Sequence, residues 1–380
     1  MAHTHIIGQP QTGKTSYMLN DAIAAIHRGE AVLFVDANGE AVDELATYIP
    51  KSRYNQTVLF DLSREENGPI FNPLEDTSNI PLLAATVADT ITDVSGFDTS
   101  ASAGSTYFKH ILWSCSYFSF AALAEAGEPL TAWRPLLTDK KARAAILKRV
   151  TDTEVLAFWE DHNALPEPKQ RELIASCLNK ATLLLSEPHI KRSLSQRQSS
   201  FNIKDTLKDG VFLIKLPQRL LSPSRVELYG SVMLSLLSHA AEARSTGVPL
   251  NIYLDDAWLW SSPILTKLLT RGPQANIHVT AAHQYINQLR RSAYDALVGS
   301  AELSIIFRTS RDDATTLFEK MDYWQKAQTR FDQLDPFVAR KTPFLKPHFL
   351  TVAPLADAGY PQNLTGLQDI RWVESVRELP

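Results

Sequence analysis

The stretch Gly8-Gln9-Pro10-Gln11-Thr12-Gly13-Lys14-Thr15 constrains this chain more than any other. It fits the spacing G-x-x-x-x-G-K-[ST] in full. The two glycines allow a turn in which successive backbone N–H groups point at a common centre. His5-Ile6-Ile7 ahead of it has the character of a short buried strand, and Met18–His27 behind it has helical periodicity. A strand, a glycine turn and a helix in that order make a phosphate cradle with the positive end of the helix behind it. Lys14 then reaches the β- and γ-phosphates, and the Thr15 hydroxyl coordinates Mg²⁺. Residue frequencies alone would produce such a match about once in a hundred chains of this length, and here the motif sits in the context it requires. Gly8–Thr15 is therefore read as a site for ATP and Mg²⁺.

The rest of the chain repeats the same rhythm, with one interruption. Ala31–Val35 and Thr57–Phe60 are apolar runs of strand length, closed by Asp36 and Asp61. Strand and helix in alternation predict a parallel sheet with crossover helices, whose ligand sites lie at the carboxyl ends of the strands. From about Ile80 to Arg197 the segments Thr86–Val94, Phe108–Ala126, Asp139–Arg149, Thr153–His162 and Lys169–Ser186 read as helices, and Ser95–Ser105 as a flexible loop. Strand patterns return at Val211–Leu216, Leu250–Leu254, Ile277–Ala281 and Leu303–Phe307, with helices expected at Arg225–Ala243, Tyr285–Arg291 and Asp312–Met321. An edge strand is expected at His348–Val352, within a proline-rich tail. The predicted fold class is α/β: a RecA-like P-loop sheet with helices on both faces and an inserted all-α domain. The expected division is an ATPase core over 1–79, the insertion over 80–200, and the second part of the core with its tail over 201–380.

Composition sets few further limits. The 380 residues carry 44% apolar and 21% charged side chains and a formal net charge of −4. There is no global basic signature, so any grip on nucleic acid has to be local. The 2 cysteines, Cys115 and Cys177, have no metal-ligand spacing and imply no disulfide framework. No signal peptide is read at the start, and the apolar stretch Ile111–Ala126 is too short and polar for a membrane span, so a cytoplasmic protein is expected.

A P-loop ATPase needs a second acidic site at the end of a buried strand. One carboxylate holds the water shell of the Mg²⁺, and another orients the attacking water. Leu250–Leu254 followed by Asp255 and Asp256 offers both, with Asp255 on the metal side and Asp256 as base. Ala281-Ala-His283-Gln284 closes the next strand, where a polar side chain such as Gln284 can sense the γ-phosphate; His283 reads as a neighbour. Arg308 and Arg311 follow the strand after that. A guanidinium there can complete a neighbouring subunit's site, or simply pair with Asp312 and Asp313.

Taken in order, these pieces resemble the HerA–FtsK superfamily of ring-forming DNA-pumping ATPases, and within it the coupling-protein ATPases of conjugation and type IV secretion. The resemblance runs through Ile6–Thr15, then Val35-Asp-Ala-Asn-Gly-Glu40, which is similar to an Asp-Pro-His-Gly-acidic segment. It continues through Phe71-Asn-Pro-Leu74, the helical block around Val155–Trp159, Leu254-Asp-Asp256, Gln284 and Phe307–Ala314. Three departures stand out. Asp256 occupies a position where the family carries Glu, one methylene longer. Ala37 and Asn38 replace Pro and His. A membrane anchor ahead of the P-loop, which the membrane-bound coupling proteins carry, is not read here.

The resemblance implies a homohexamer with ATP between subunits, DNA in the central pore, and the helical domain over one mouth, facing DNA or a relaxase, nuclease or secretion-channel partner. A cytoplasmic motor recruited to a membrane complex fits this picture. Basic clusters at Lys140-Lys141, Arg143, Lys148-Arg149, Lys191-Arg192, Arg197 and Arg290-Arg291 are compatible with it, although each also reads as a solvated face. A protein-moving secretion ATPase, a viral genome-packaging motor and a nucleotide-binding oligomeric scaffold are the alternative readings.

Overall fold

A computed structural model of the chain describes residues 3–96, 103–260, 263–319 and 348–351. Two compact units are present. The first comprises the described residues within Met1–Leu59, Lys204–Lys215 and Ala240–Pro380; the second, those within Phe60–Ile203 and Leu216–His239.

The first unit is built on a sheet. Its strands are β1 His3–Ile7, β2 Ala31–Asp36, β3 Thr57–Asp61, β4 Val211–Lys215, β5 Leu250–Leu254, β6 Ile277–His283, β7 Ala301–Ile306 and β8 His348–Thr351. Strand β3 leads from this unit into the second. The order across the 8-stranded sheet is β3-β4-β2-β5-β6-β1-β7-β8. Pairing is parallel between β1 and both β6 and β7, between β2 and both β4 and β5, between β5 and β6, and between β7 and β8. Every residue of β2, β5 and β6 is buried, as parallel strands covered on both faces must be. Continuous apolar runs, rather than alternation, are the sequence sign of that.

One face of the sheet is covered by two helices, α1 (Lys14–His27) and α2 (Glu40–Thr47). Helix α1 buries Met18, Leu19, Ala22, Ile23, Ala25 and Ile26, a stripe of helical spacing, onto Ile6, Val32, Phe34, Tyr253 and Ile305 of the strands. Its orientation is fixed by a polar tie: the Tyr253 hydroxyl donates to Asp21 Oδ2 at 2.8 Å. Burial raises the Asp21 carboxyl above its usual range. Phe34 lies stacked on the Tyr253 ring, centroids 5.6 Å apart. The helices Pro263–Arg271 and Arg291–Ser300 pack on β6, β1 and β7. His3 Nε2 meets the Leu269 carbonyl at 2.9 Å, while His3 Nδ1 accepts from Val279 N–H at 3.0 Å.

Past the end of β3, helices are the only regular elements among the second unit's described residues. Its main helices are Ile80–Val94, Ala103–Glu125, Trp133–Thr138, Lys140–Leu147, Thr153–Ala164, Glu167–Leu185 and Pro188–Ser193, together with most of Pro223–Glu242. Trp133 and Trp159 are fully buried, and Cys115 and Cys177 are free and buried among these helices. Arg143, one of the basic residues noted in the sequence, is a core residue here. Its guanidinium donates to the Leu136 and Leu137 carbonyls and to Asn163 Oδ1, and lies over the Trp159 ring. Arg149 and Arg197 share Glu128, and Arg192 donates to the Arg64 and Glu65 carbonyls. These four arginines are committed to the unit's own structure.

One expectation needs correction. Tyr285–Arg291 is not a helix. Ile286–Gln288 form a single tight turn, in which Gln288 Oε1 accepts from Gln284 N–H at 2.7 Å, and the helix begins only at Arg291. A side chain closing on nearby backbone has outcompeted the helical ladder. Asp36 and Asp61 close their strands for local reasons. Asp36 accepts from the N–H groups of Asn38, Ala41 and Val42 and so caps α2, and Asp61 accepts from Ser63. Most of the Ser95–Ser105 loop, Met321 and Val352 lie outside the described residues.

Phe34 is 0% exposed at the centre of this packing. Phe34→Ala is expected to lower unfolding stability by about 3–5 kcal/mol, read as a lower urea midpoint with an unchanged slope.

Candidate active site

The register aligns the carboxyl ends of the strands. Ile7 lies beside His283 and Ile306, and Leu254 beside Ala281. The residues that follow these strands therefore emerge together on one rim of the sheet, where a parallel sheet presents its ligand site. The P-loop leaves β1 on this rim and is held on both sides: Gly8 N–H donates to the His283 carbonyl at 3.2 Å and Gln9 N–H to the Arg308 carbonyl at 2.8 Å. A Cβ added to Gly8 would stand 2.5 Å from the Phe307 Cβ, so a side chain at position 8 is excluded. Gly13, at φ 102°, adopts the left-handed conformation that turns the loop into α1. Lys14 is buried, and its ammonium donates to the Gly8 and Gln9 carbonyls, both at 2.8 Å. The Thr12 hydroxyl donates to the Gln9 carbonyl at 2.8 Å.

Strand β6 lies between β1 and β5, so the two acidic residues reach the loop across it. The Thr15 hydroxyl donates to Asp255 Oδ2 at 2.8 Å, joining positions 240 apart in the chain. Asp255 is 8% exposed. Its carboxyl is pushed up to about 6, first by burial and then by the neighbouring charge of Asp256, against the lowering effect of the Thr15 hydroxyl. Lys14 is shifted down by burial, while Asp255 and Asp256 oppose that shift. Asp256 occupies the left-handed region at φ 51°, which Asp tolerates better than most residues. Its Oδ2 accepts from Asn38 Nδ2 at 3.0 Å. Among the described residues no cluster of three or more His, Cys, Asp or Glu forms a metal cage. The oxygens of Thr15 and Asp255 instead suit a hard cation that takes its remaining ligands from phosphate and water.

Arg308 is exposed, and its Nε donates to Gln9 Oε1 of the same chain's loop at 3.0 Å. Arg311 opens the helix Arg311–Glu319, also exposed. Asp313 binds neither arginine in this way: it accepts from Ile286 N–H and from the Thr309 hydroxyl. Gln284 follows β6 directly, half-buried. The structure therefore gathers Gly8–Thr15, Asp255, Asp256, Gln284 and Arg308 on one rim.

The fold has counterparts among solved structures. The chain is similar to a bacterial conjugative coupling protein, TrwBdeltaN70 in its trigonal form with sulphate. The TM-score is 0.63 at 14% identity, over 95% of this chain and 87% of that one. It is similar to the plasmid coupling protein TrwB in complex with ADP and Mg²⁺, with TM-score 0.53 at 14% identity, over 78% of this chain and 66% of that one, just under two thirds of its length. VirB4 of Thermoanaerobacter pseudethanolicus aligns with TM-score 0.53 at 13% identity, over 86% of this chain and 82% of that one. The fold is the RecA-like P-loop ATPase fold. No family model and no curated protein sequence matches the chain.

Beneath the P-loop lies a histidine pair that the sequence did not single out. His5 and His283 are fully buried and stacked, with centroids 5.0 Å apart and Nε2 atoms at 2.8 Å. One tautomer assignment satisfies both. His283 Nδ1–H donates to the Tyr285 carbonyl, leaving Nε2 to accept from His5 Nε2–H. His5 Nδ1 then accepts from the Ser304 hydroxyl. Both rings are thereby neutral, and burial holds His283 down at about 4. The pair braces β1, β6 and β7 under the loop, a structural role for His283. The second missed residue is Asn38, visible in the sequence only as a departure from the family pattern.

The raised Asp255 pKa has a defined sign. A raised carboxyl contributes its stability below the ordinary carboxylate range and loses it as pH rises through about 6. Asp255→Asn should therefore make the nucleotide-free protein more stable than wild type by about 2–3 kcal/mol near pH 8, with the gap closing below about pH 4. Urea denaturation across pH reads this directly; a wild type equal to the variant at both ends of the range would contradict it.

Proposed function

We propose that the chain is an ATP-hydrolysing motor that moves DNA. The observation that carries the ATPase part of this reading is the 2.8 Å contact between Thr15 and Asp255, which joins the phosphate loop to the acidic strand end; the DNA part is supported by the likeness in fold to the conjugative coupling proteins. Gly8–Thr15 binds the triphosphate through its backbone N–H groups and Lys14. Thr15 and Asp255 hold a Mg²⁺, which when bound neutralises charge on the phosphate oxygens. Asp256 takes the proton of the attacking water, and Gln284 senses the γ-phosphate. Arg308, tied to Gln9 of its own loop, serves the site in cis. Arg311 is the residue left to complete a neighbour's site.

The same proposal includes a homohexamer with DNA in its pore, a recruiting partner at a secretion complex and a cytoplasmic location, with the likeness to the conjugative coupling proteins as its support. Among the described residues no helix is long and apolar enough to cross a membrane. The division into a core over 1–79 and 201–380 and an all-α insertion over 80–200 belongs to the same reading. With Arg143 buried and Arg149, Arg192 and Arg197 bonded within the second unit, the basic clusters proposed as local charge for DNA are Lys140, Lys141, Lys148 and Lys191 together with Arg290 and Arg291.

Phosphate release by wild type and by Lys14→Ala tests the chemistry: a loss of about a hundredfold or more is expected, and equal rates would end the reading. Stimulation by DNA separates a DNA motor from an ATPase that answers only to a protein substrate. A mass measurement with nucleotide and DNA should give a hexamer; a monomer under every condition would leave Arg311 no neighbour to serve.

A further inference from the structure

Two residues at the ends of neighbouring strands meet in space. The Asn38 side-chain amide donates to Asp256 Oδ2 at 3.0 Å, across 218 positions of sequence. Chance surface contacts between mobile side chains carry little meaning, but both partners here are anchored. Asn38 N–H donates to Asp36 Oδ1 at 2.7 Å, and the other Asp36 oxygen caps α2 through Ala41 and Val42. Asp36 itself is 1% exposed at the end of β2, so the amide is presented from a fixed turn. The Asp256 backbone is pinned as well: its N–H donates to Asp255 Oδ1 at 3.0 Å, and its carbonyl accepts from Leu259 N–H at 3.0 Å.

With the backbone held, the remaining freedom of Asp256 is rotation of its short side chain. The contact is solvent-exposed, and a neutral amide bound to Oδ2 biases that rotation while leaving Oδ1 to accept from water. The chemistry of the donor matters. A lysine or arginine in this position would form an ion pair and lower the basicity of the carboxylate. An amide orients the carboxylate while leaving its charge intact. A shorter carboxylate reaches less far, so its aim governs how well it meets a water molecule; misplacement on the ångström scale is costly in such chemistry.

We propose that Asn38 is a positioning residue: its side-chain amide aims the Asp256 carboxylate at the water that attacks the γ-phosphate. The proposal rests on the reading of the chain as an ATPase with Asp256 as base.

The test is a double-substitution cycle on the full chain, with folding checked by thermal melting. Asn38→Ala is expected to lower kcat by about tenfold, with KM and nucleotide affinity within about twofold. In the Asp256→Ala background the same change should cost nothing further, because no carboxylate is left to aim. A second readout needs no turnover. In the nucleotide-free protein, the Asn38 side-chain amide resonances, assigned by their loss in Asn38→Ala, should shift on Asp256→Ala. An equal further loss of kcat in the Asp256→Ala background, an effect on affinity in place of kcat, or unmoved amide resonances would each overturn the proposal while leaving the ATPase reading intact. A wild type that releases no phosphate would remove the ATPase reading, and Asn38's role with it.

Discussion

A single hydroxyl–carboxylate contact organises the site. Thr15 belongs to the first turn of α1 and Asp255 to the end of β5, with a whole strand between their parent strands. For them to meet, α1 must lie at one angle on the sheet and the P-loop must leave β1 at one height. The Tyr253–Asp21 bond and the apolar stripe of α1 set the angle. The backbone ties of Gly8 and Gln9 to β6 and Arg308 set the height. The same contact carries an electrostatic cost, because the rim concentrates carboxylates 36, 255 and 256 in a largely buried place. A divalent cation at this position would reverse the sign of that interaction. Folding thus prepares a place of negative potential beside a loop suited to anions, and a magnesium-bound polyphosphate answers both.

The elements most legible in sequence were those governed by continuous apolar runs. Strands β2, β5 and β6 are buried along their whole length, and each was readable as a short, mainly apolar run. The P-loop was legible because its spacing is dictated by backbone geometry, and Asp255 because a P-loop ATPase requires a carboxylate at the end of a second buried strand. Less legible were features decided by a side chain folding back on the backbone. Gln288 converted an expected helix into a turn, and Asp36 proved to be a helix cap. Neither event leaves a periodic trace. Pairings between distant positions were out of reach for the same reason. Nothing in the order of residues shows that Asn38 meets Asp256, that Arg308 meets Gln9, or that two histidines at positions 5 and 283 share a hydrogen bond.

The arginines show how location reassigns a charge. In sequence, Arg143 belongs to a basic run with Lys140 and Lys141. In the fold it is buried, with its guanidinium spent on two carbonyls, an amide and an indole face. A guanidinium supplies the planar set of donors that such a position needs. Its charge is expressed inward, where it holds His162 down at about 4 together with the larger effect of burial. Counting basic residues along a helix therefore overstates the charge the second unit offers to a polyanion.

The placement of the thiols has a practical consequence. Both cysteines of the chain are sequestered among the helices of the second unit, and the Cys115 thiol is held well above its usual range by its bond to Cys177 and by burial. Few thiolates form there, and reagents reach them poorly. A single cysteine introduced on the exposed surface would accordingly be the one reactive position in the native protein. Dyes for single-molecule measurements could be attached to it without first stripping the chain of its own sulfur.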